Sequence, residues 1–162
     1  MNQLATNTKI EEVLEEQGFF MCSTVGYSMF PMLRDRRDIV VVEPVEERLK
    51  KNDIALYKRG DGYILHRVIK VLPDEYIIRG DNCYYKEHVT DDMIIGKLTG
   101  FYRNPKKTPP ESDRKPVDMN GVGYAVYTRA WRYTYGVRMI FVRFKRLCGR
   151  ALRKLRRSNI AR

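Results

Sequence analysis

One serine in this sequence has a setting that favours nucleophilic chemistry. Ser28 lies between Gly26 and Pro31, which favour a bend, and apolar residues flank it. A serine hydroxyl is a weak nucleophile until a nearby base removes its proton. Ser28 is therefore a candidate nucleophile only if another part of the chain supplies that base.

The two histidines, His66 and His88, are the candidate bases. His66 lies in a β-prone run, where alternation would place it on one face with Ile64 and Val68. His88 lies in a polar segment and is predicted to be a surface residue. A neutral imidazole can accept the serine proton and return it to the leaving amine, while a carboxylate on its other nitrogen fixes the tautomer. His66 is therefore the stronger candidate.

A short amphipathic helix is predicted at the start of the chain, within an N-terminal segment 1–18. Apolar residues with helical spacing indicate a helix over residues 6–17, with Thr6 or Asn7 as its cap and Gly18 as its end. Its acidic side chains are predicted to form a solvated face, and these are Glu11, Glu12, Glu15 and Glu16.

Short β-prone runs separated by turn signals occupy residues 19–103 and indicate a mainly β domain, either a barrel or a sandwich. The predicted strands are 19–24, 39–42, 53–57, 63–72, 75–79 and 93–98. The turn Gly60-Asp61-Gly62 joins two of them in a hairpin. The continuous β-branched run 39–42 predicts a strand buried on both faces.

A proline-rich stretch, 104–123, follows the β domain and predicts an extended linker. Residues 124–162 form a basic, aromatic tail, in which apolar residues recur every three or four positions between Val137 and Leu155. That spacing predicts a C-terminal basic amphipathic helix. Such a helix can lie on an anionic membrane, bind a partner, track nucleic acid, or simply dock on the body of the protein.

The net charge of +11 belongs to this tail. All 20 acidic residues lie within residues 1–128, where basic residues nearly balance them, and residues 129–162 contain no acidic residue. The charge therefore does not mark the β domain as a nucleic-acid binder. The tail is the expected contact with an anionic membrane.

The cysteines, Cys22, Cys83 and Cys148, are odd in number and form no C-x-x-C pair, which argues against a disulfide framework and a zinc site. No metal or cofactor is expected. The sequence has neither a signal-peptide pattern nor an apolar run of about 18 residues. The expected location is cytoplasmic, or peripheral at the cytoplasmic face of a membrane.

Several short boxes follow one another along residues 19–103. They read G-x-S-M-x-P-x-L, R-D-I-V, N-D-I-A-L-Y, H-R-V, R-G-D-N and I-I-G-K. This order resembles the superfamily of signal peptidase I and the repressor-type self-cleaving serine peptidases. The H-R-V box resembles the branch that uses a histidine base, typified by the endoplasmic-reticulum signal peptidase and its bacterial relatives.

The resemblance implies a signal-peptidase-like β-fold of coiled, barrel-like sheets, with Ser28 as nucleophile and His66 as general base. It implies that Asp81 holds the site together and that Glu87 or Asp81 orients the histidine. Residues around the nucleophile are implied to bind substrate, and these are Gly26, Met29 and Pro31. Because Gly26 replaces a hydroxyl residue common in the family, the oxyanion would rest on backbone amides.

The function that follows is a serine endopeptidase that cleaves a leader, signal-like or precursor peptide bound beside a strand edge. Small residues are expected near the scissile bond. The alternative is a catalytically inactive peptidase fold that serves as a binding module, with the tail on a membrane or a nucleic acid. Aromatic and arginine residues interleave in 127–138 and could stack on bases.

Overall fold

The computed structural model of the protein describes residues 9–104, 114–141 and 144. The chain divides into two compact units, Met1–Gly121 and Val122–Arg162. In the described residues the first unit is mainly β and the second is helical. The predicted fold class, a mainly β protein with an N-terminal helix, is confirmed at this level.

Among its described residues, the first unit contains one α-helix, eight strands and a single 3₁₀ turn at Asp91–Met93. In chain order its elements are α1 (Ile10–Gln17), β1 (Phe20–Ser23), β2 (Ile39–Glu43), β3 (Ile54–Arg59), β4 (Gly62–Val71), β5 (Glu75–Arg79), β6 (Glu87–Thr90), β7 (Ile94–Arg103) and β8 (Lys115–Val117).

All the strands belong to one antiparallel sheet with the order β1-β2-β7-β3-β4-β5-β6, and β8 pairs with β7. Among the described strands, β1 and β6 lie at the two ends of this order and do not pair with each other. The described strands therefore form one open sheet, which corrects the expectation of a closed barrel. Strand lengths and turns are alike in open and closed sheets, so the local sequence does not reveal whether the ends meet.

Strand β7 joins two parts of the sheet. Near its start Lys97 pairs with Ala55 of β3, and towards its end Tyr102 pairs with Ile39 of β2. The β1–β2 pair and the β3–β6 strands therefore meet through β7.

The predicted hairpin is present as β3 and β4. Gly60 has a φ of +59°, which suits the tight two-residue turn, and the resulting register pairs Arg59 with Gly62 and Ala55 with His66. Strand β5 pairs with β4 only from Arg67 onward. The first half of β4 therefore pairs with β3 alone among the described strands.

One cluster of buried side chains packs beneath β3, β4 and β5. Its members are Leu49, Ala55, Tyr57, Val68, Tyr76, Ile78 and Val89. The hydroxyl of Tyr76 donates to Asp91 Oδ1 at 2.5 Å and accepts from the Leu49 N–H at 3.3 Å. These bonds satisfy the polar end of a large aromatic side chain in the interior.

Helix α1 begins at Ile10 after Lys9, whereas Thr6 and Asn7 lie outside the described residues. Gly18 ends the helix as predicted, with a φ of +74° and its N–H bonded to Leu14 O at 3.0 Å. The predicted solvated acidic face was wrong for Glu11, whose carboxylate bonds Lys58 Nζ at 3.2 Å and the Tyr63 hydroxyl. The helix is thereby tied to the β3–β4 hairpin.

Strand β2 also departs from its prediction. Val40 and Val42 are buried, but Ile39 and Val41 are only half-buried. A run of β-branched residues favours a strand whichever face is covered. The sequence therefore predicts the strand correctly and its second buried face incorrectly.

The stretch 104–123 is not wholly a linker, because β8 pairs Val117 with Phe101 and Lys115 with Arg103. Residues 105–113 lie outside the described residues.

In the second unit, helix α2 (Val122–Tyr133) precedes the predicted amphipathic helix, and helical structure resumes over 135–141. The helix predicted to run on to Leu155 is described only as far as Phe144, without 142–143. Within the described ranges, no helix combines the length and apolar character needed to cross a membrane.

Two glycines on β7 provide a matched test of the sheet. A Cβ at Gly96 would lie 2.6 Å from Val42 Cγ1 and 2.7 Å from Glu43 O, whereas one at Gly100 would meet nothing within 4 Å. We expect Gly96→Ala to lower the free energy of unfolding by about 1–3 kcal/mol through overpacking. Gly100→Ala should change it by less than about 0.5 kcal/mol. Urea denaturation measures both, and equal effects would contradict the packing of β2 on β7.

Candidate active site

The candidate nucleophile, Ser28, lies on the loop between β1 and β2. One side of this loop packs against the protein interior. Met29 is buried and its carbonyl accepts the Leu33 N–H at 2.9 Å. Gly26 has a φ of +104° and its N–H donates to Asp35 Oδ1 at 2.7 Å. Ser28 is half-buried between these two fixed points. The loop is therefore packed against the interior, while the serine itself stays partly exposed at the protein surface.

The G-D-N box forms a turn that lies directly against this serine loop. The Asn82 N–H donates to Ser28 O at 2.7 Å, and its side-chain amide donates to Tyr27 O at 3.1 Å. A Cβ on Gly80 would lie 2.7 Å from Ser28 O and 2.9 Å from His66 Nε2. Only glycine at position 80 lets the serine loop and the histidine approach each other this closely.

His66 lies in β4 with 2% of its surface exposed. Its Nε2 faces Gly80, and its Nδ1 is 3.2 Å from the Tyr57 hydroxyl and 3.2 Å from Glu87 Oε1. Glu87 Oε1 is buried and makes no aligned hydrogen bond, so its contact with the ring nitrogen is electrostatic.

Electrostatics and burial act in opposite directions on the histidine. Burial lowers the pKa of His66 because the charged imidazolium loses its hydration, and the Glu87 carboxylate partly opposes this shift. The imidazole is therefore neutral at pH 7 and able to accept a proton. Burial, reinforced by the charge of Glu87, raises the pKa of Tyr57, so its phenol keeps its proton.

Asp81 lies against Arg67 instead of the histidine. Its two carboxylate oxygens accept from Arg67 Nε and Nη2, each at 2.8 Å, and both side chains are nearly buried. The same guanidinium donates to Asn52 O at 3.1 Å and contacts Met32 Sδ at 3.1 Å. Of the two carboxylates that the sequence left open as partners of His66, Glu87 is the one in contact with Nδ1.

A cleft of about 460 Å³ is lined by both Ser28 and His66. Of the residues predicted to bind substrate, Gly26 and Met29 line this cleft, and Pro31 is not among its lining residues. Its walls are mainly apolar and include Phe20, Leu33, Val40, Val42, Leu56 and Leu65. In the described part of the chain, the Ser28 hydroxyl makes no hydrogen bond to His66. Catalytic hydrogen bonds often tighten only when substrate binds.

Two residues of the site were missed in the sequence. Arg59 lines the cleft and its Nη1 donates to Glu87 Oε2 at 2.6 Å, while Tyr57 shares the Nδ1 side of His66. The hairpin turn contains the signal that could have found Tyr57. A two-residue turn pairs Ala55 with His66, and Tyr57 is then the diagonal neighbour on the same face.

Neither Cys22 nor Cys83 forms a disulfide within the described residues, and Cys22 lines the cleft, where burial raises its pKa. Cys148 lies outside the described residues. His88 is exposed, as predicted, and its Nδ1 lies 2.8 Å from Glu75 Oε1. Within the described ranges, no group of three or more metal-binding side chains is present.

No model of a known protein family matches this sequence, and no curated protein matches it. Its function is therefore inferred from the residues and their geometry.

The buried Arg67–Asp81 pair yields a stability test. Asp81→Asn keeps the size of the side chain but leaves the Arg67 charge uncompensated in the interior, so we expect the free energy of unfolding to fall by about 3–5 kcal/mol. The control is Glu47→Gln, because Glu47 and Lys50 form an exposed ion pair worth less than about 1 kcal/mol. Chemical denaturation at pH 7 measures both, and similar losses would contradict the structural role of Asp81.

Proposed function

We propose that this protein is a serine endopeptidase with a signal-peptidase-type fold, in which Ser28 is the nucleophile and His66 the general base. One observation carries the proposal. A buried histidine has a carboxylate on its Nδ1 side, its Nε2 and the Ser28 carbonyl both lie against Gly80, and Ser28 and His66 line one cleft. This is the order of groups that acyl transfer from a peptide requires.

The convergence of distant sequence boxes supports the family resemblance. Arg67 of the H-R-V box bonds Asp81 of the R-G-D-N box and the Asn52 carbonyl of the N-D-I-A-L-Y box, and it contacts Met32 near the serine. Asn52 replaces a glycine of the family pattern and has a φ of +84°, a conformation that glycine adopts readily. The boxes thus meet around one buried arginine.

In the proposed first half-reaction, Ser28 Oγ attacks the carbonyl carbon of the scissile bond while its proton passes to His66 Nε2. Glu87 stabilises the imidazolium that forms, through the Nδ1 side of the ring. The Ser28 N–H bonds to none of the described residues, so it can donate to the developing oxyanion. Nε2 then gives its proton to the leaving amine as the C–N bond breaks, which leaves an acyl-enzyme.

In the second half-reaction a water molecule replaces the amine. His66 takes a proton from this water as the oxygen attacks the ester carbonyl, and then returns a proton to Ser28 Oγ as the acid product leaves. The lowered pKa of His66 suits this role, because the free base predominates at neutral pH. Arg59 and Tyr57 keep Glu87 beside the ring throughout.

Two unpaired strand edges favour an extended peptide as substrate. Among the described strands, β1 pairs with β2 alone and the first half of β4 pairs with β3 alone, and both segments line the cleft. A peptide can bond to such an edge through its backbone, while its side chains enter apolar pockets. The proposed substrate is therefore a leader, signal-like or precursor peptide with small or apolar residues near the scissile bond.

The proposal is tested by removing the nucleophile. Ser28→Ala should abolish covalent labelling by a fluorophosphonate probe and lower kcat on a cleaved peptide by about 10⁶. The control is Ser23→Ala, because Ser23 lies in the same cleft on β1. Labelling and cleavage that persist in Ser28→Ala would refute Ser28 as the nucleophile. Their absence from the wild type as well would favour the alternative, an inactive peptidase fold that only binds its partners.

The pH profile tests the Glu87–His66 contact. Because the pKa of His66 is lowered, kcat/KM should rise with pH along a limb whose midpoint lies below 6.5, the ordinary histidine value. Glu87→Gln removes the charge that raises this pKa, so the limb should move to still lower pH while the plateau falls by about 10²–10⁴.

The control for this profile is Glu75→Gln, whose carboxylate contacts the exposed His88. It should alter neither the limb nor the plateau. A limb that moves to higher pH in Glu87→Gln would contradict the assignment of Glu87 as the partner of His66.

A further inference from the structure

The second unit exposes a continuous stripe of large apolar side chains along its helix. Its members recur at helical spacing, and they are Val122, Val126, Tyr133, Val137, Ile140, Phe141 and Phe144. Each is between 60% and 83% exposed. An exposed stripe of this length is unusual on a monomeric soluble protein. It indicates a surface that a membrane or another molecule covers.

The helix that bears the apolar stripe is nearly continuous. Helix α2 ends at Tyr133, but the Thr134 N–H still donates to Ala130 O and the Arg138 N–H to Thr134 O, both at 3.0 Å. At the turn around Thr134, Arg138 Nη2 also donates to Trp131 O at 2.7 Å, which links the residues on either side of the turn. The stripe therefore extends along one helical surface instead of being divided between two.

The other face of this helix is already engaged. Tyr127 stacks on Trp131 with ring centroids 5.9 Å apart, and the Arg138 guanidinium lies 3.2 Å from the centre of the Trp131 ring. These rings contact each other and an arginine. Tyr127 and Trp131, which could stack on nucleic-acid bases, are thus engaged with each other and with Arg138, whereas the apolar stripe is exposed.

The positive charge of the second unit indicates which kind of surface the stripe contacts. Residues 129–162 contain no acidic residue and are rich in arginine and lysine. Within the described helix, Arg129 and Arg132 are exposed beside the stripe. Aliphatic and aromatic side chains flanked by cations form the pattern of a helix that lies in the interface of an anionic bilayer.

We propose that the second unit docks on an anionic lipid surface, with the apolar stripe in the interface and its basic residues at the headgroups. Each basic residue near such a surface strengthens binding about fivefold. The stripe adds apolar burial that a purely electrostatic contact lacks. This inference is independent of the proposed peptidase activity.

The experiment is cosedimentation of the full-length chain with vesicles. Binding should be strong with an equal mixture of phosphatidylcholine and phosphatidylglycerol and at least about 10-fold weaker with phosphatidylcholine alone. Arg129→Gln with Arg132→Gln should weaken binding about fivefold for each arginine removed.

A matched pair of neutral variants tests the apolar stripe itself. Ile140→Ser with Phe141→Ser should lower vesicle binding by about 10-fold or more, because two buried apolar side chains are lost from the interface. Phe19→Ser with Val71→Ser removes one phenylalanine and one aliphatic residue from the exposed surface of the first unit and should leave binding unchanged. Circular dichroism of each variant checks that the helix persists.

Three results would overturn the proposal. One is equal vesicle binding by the stripe variant and the wild type. The second is salt-sensitive binding to a single-stranded oligonucleotide without any binding to vesicles, which would assign the unit to nucleic acid. The third is a dimer in sedimentation velocity that the stripe variant dissociates, again without binding to vesicles.

Discussion

The buried ion pair between Arg67 and Asp81 is the constraint on which the candidate site depends. Two charges out of water are tolerated only when each is paired, and Asp81 accepts two hydrogen bonds from one guanidinium. Arg67 also donates to Asn52 O and Met32 Sδ, so a single side chain connects four segments of the chain. His66 and Gly80 are the immediate sequence neighbours of this pair. The buried ion pair therefore fixes the positions of His66 and Gly80. The geometry of the cleft thus depends on the packing of the interior.

The geometry around His66 combines a hydrophobic environment with a charge kept close to it. Burial alone would make the imidazole a weak base, and a fully aligned carboxylate would make it too readily protonated. Glu87 lies between these limits, because Arg59 neutralises one of its oxygens while the other stays buried beside Nδ1. The histidine can thus be neutral at rest and still stabilised when it gains a proton. Such balance is typical of groups that accept and return protons during catalysis.

Much of this arrangement could be predicted from the sequence, because it rests on local signals. Turn glycines and β-branched runs identified the β3–β4 hairpin and most strands, and the spacing of boxes selected Ser28, His66 and Asp81. Contacts between distant segments could not be predicted in this way. Glu11 was expected in solvent because nothing local reveals that Lys58 and Tyr63 lie beneath it. The open sheet was missed for the same reason, since closure depends on whether its two end strands meet.

The central position of β7 has a consequence for how the protein acquires its site. The serine loop follows β1 and leads into β2, whereas His66 and Glu87 belong to the β3–β6 strands, and the sheet joins these two parts through residues 94–103. The β3–β4 hairpin can form early because its two strands are neighbours in the sequence. Strand β2 can pair with β7 only after some fifty further residues have been synthesised. During synthesis, therefore, the serine loop and the strands that bear His66 and Glu87 are made before β7 can join them in one sheet. A nascent chain contains the proposed nucleophile and base well before the sheet can bring them together.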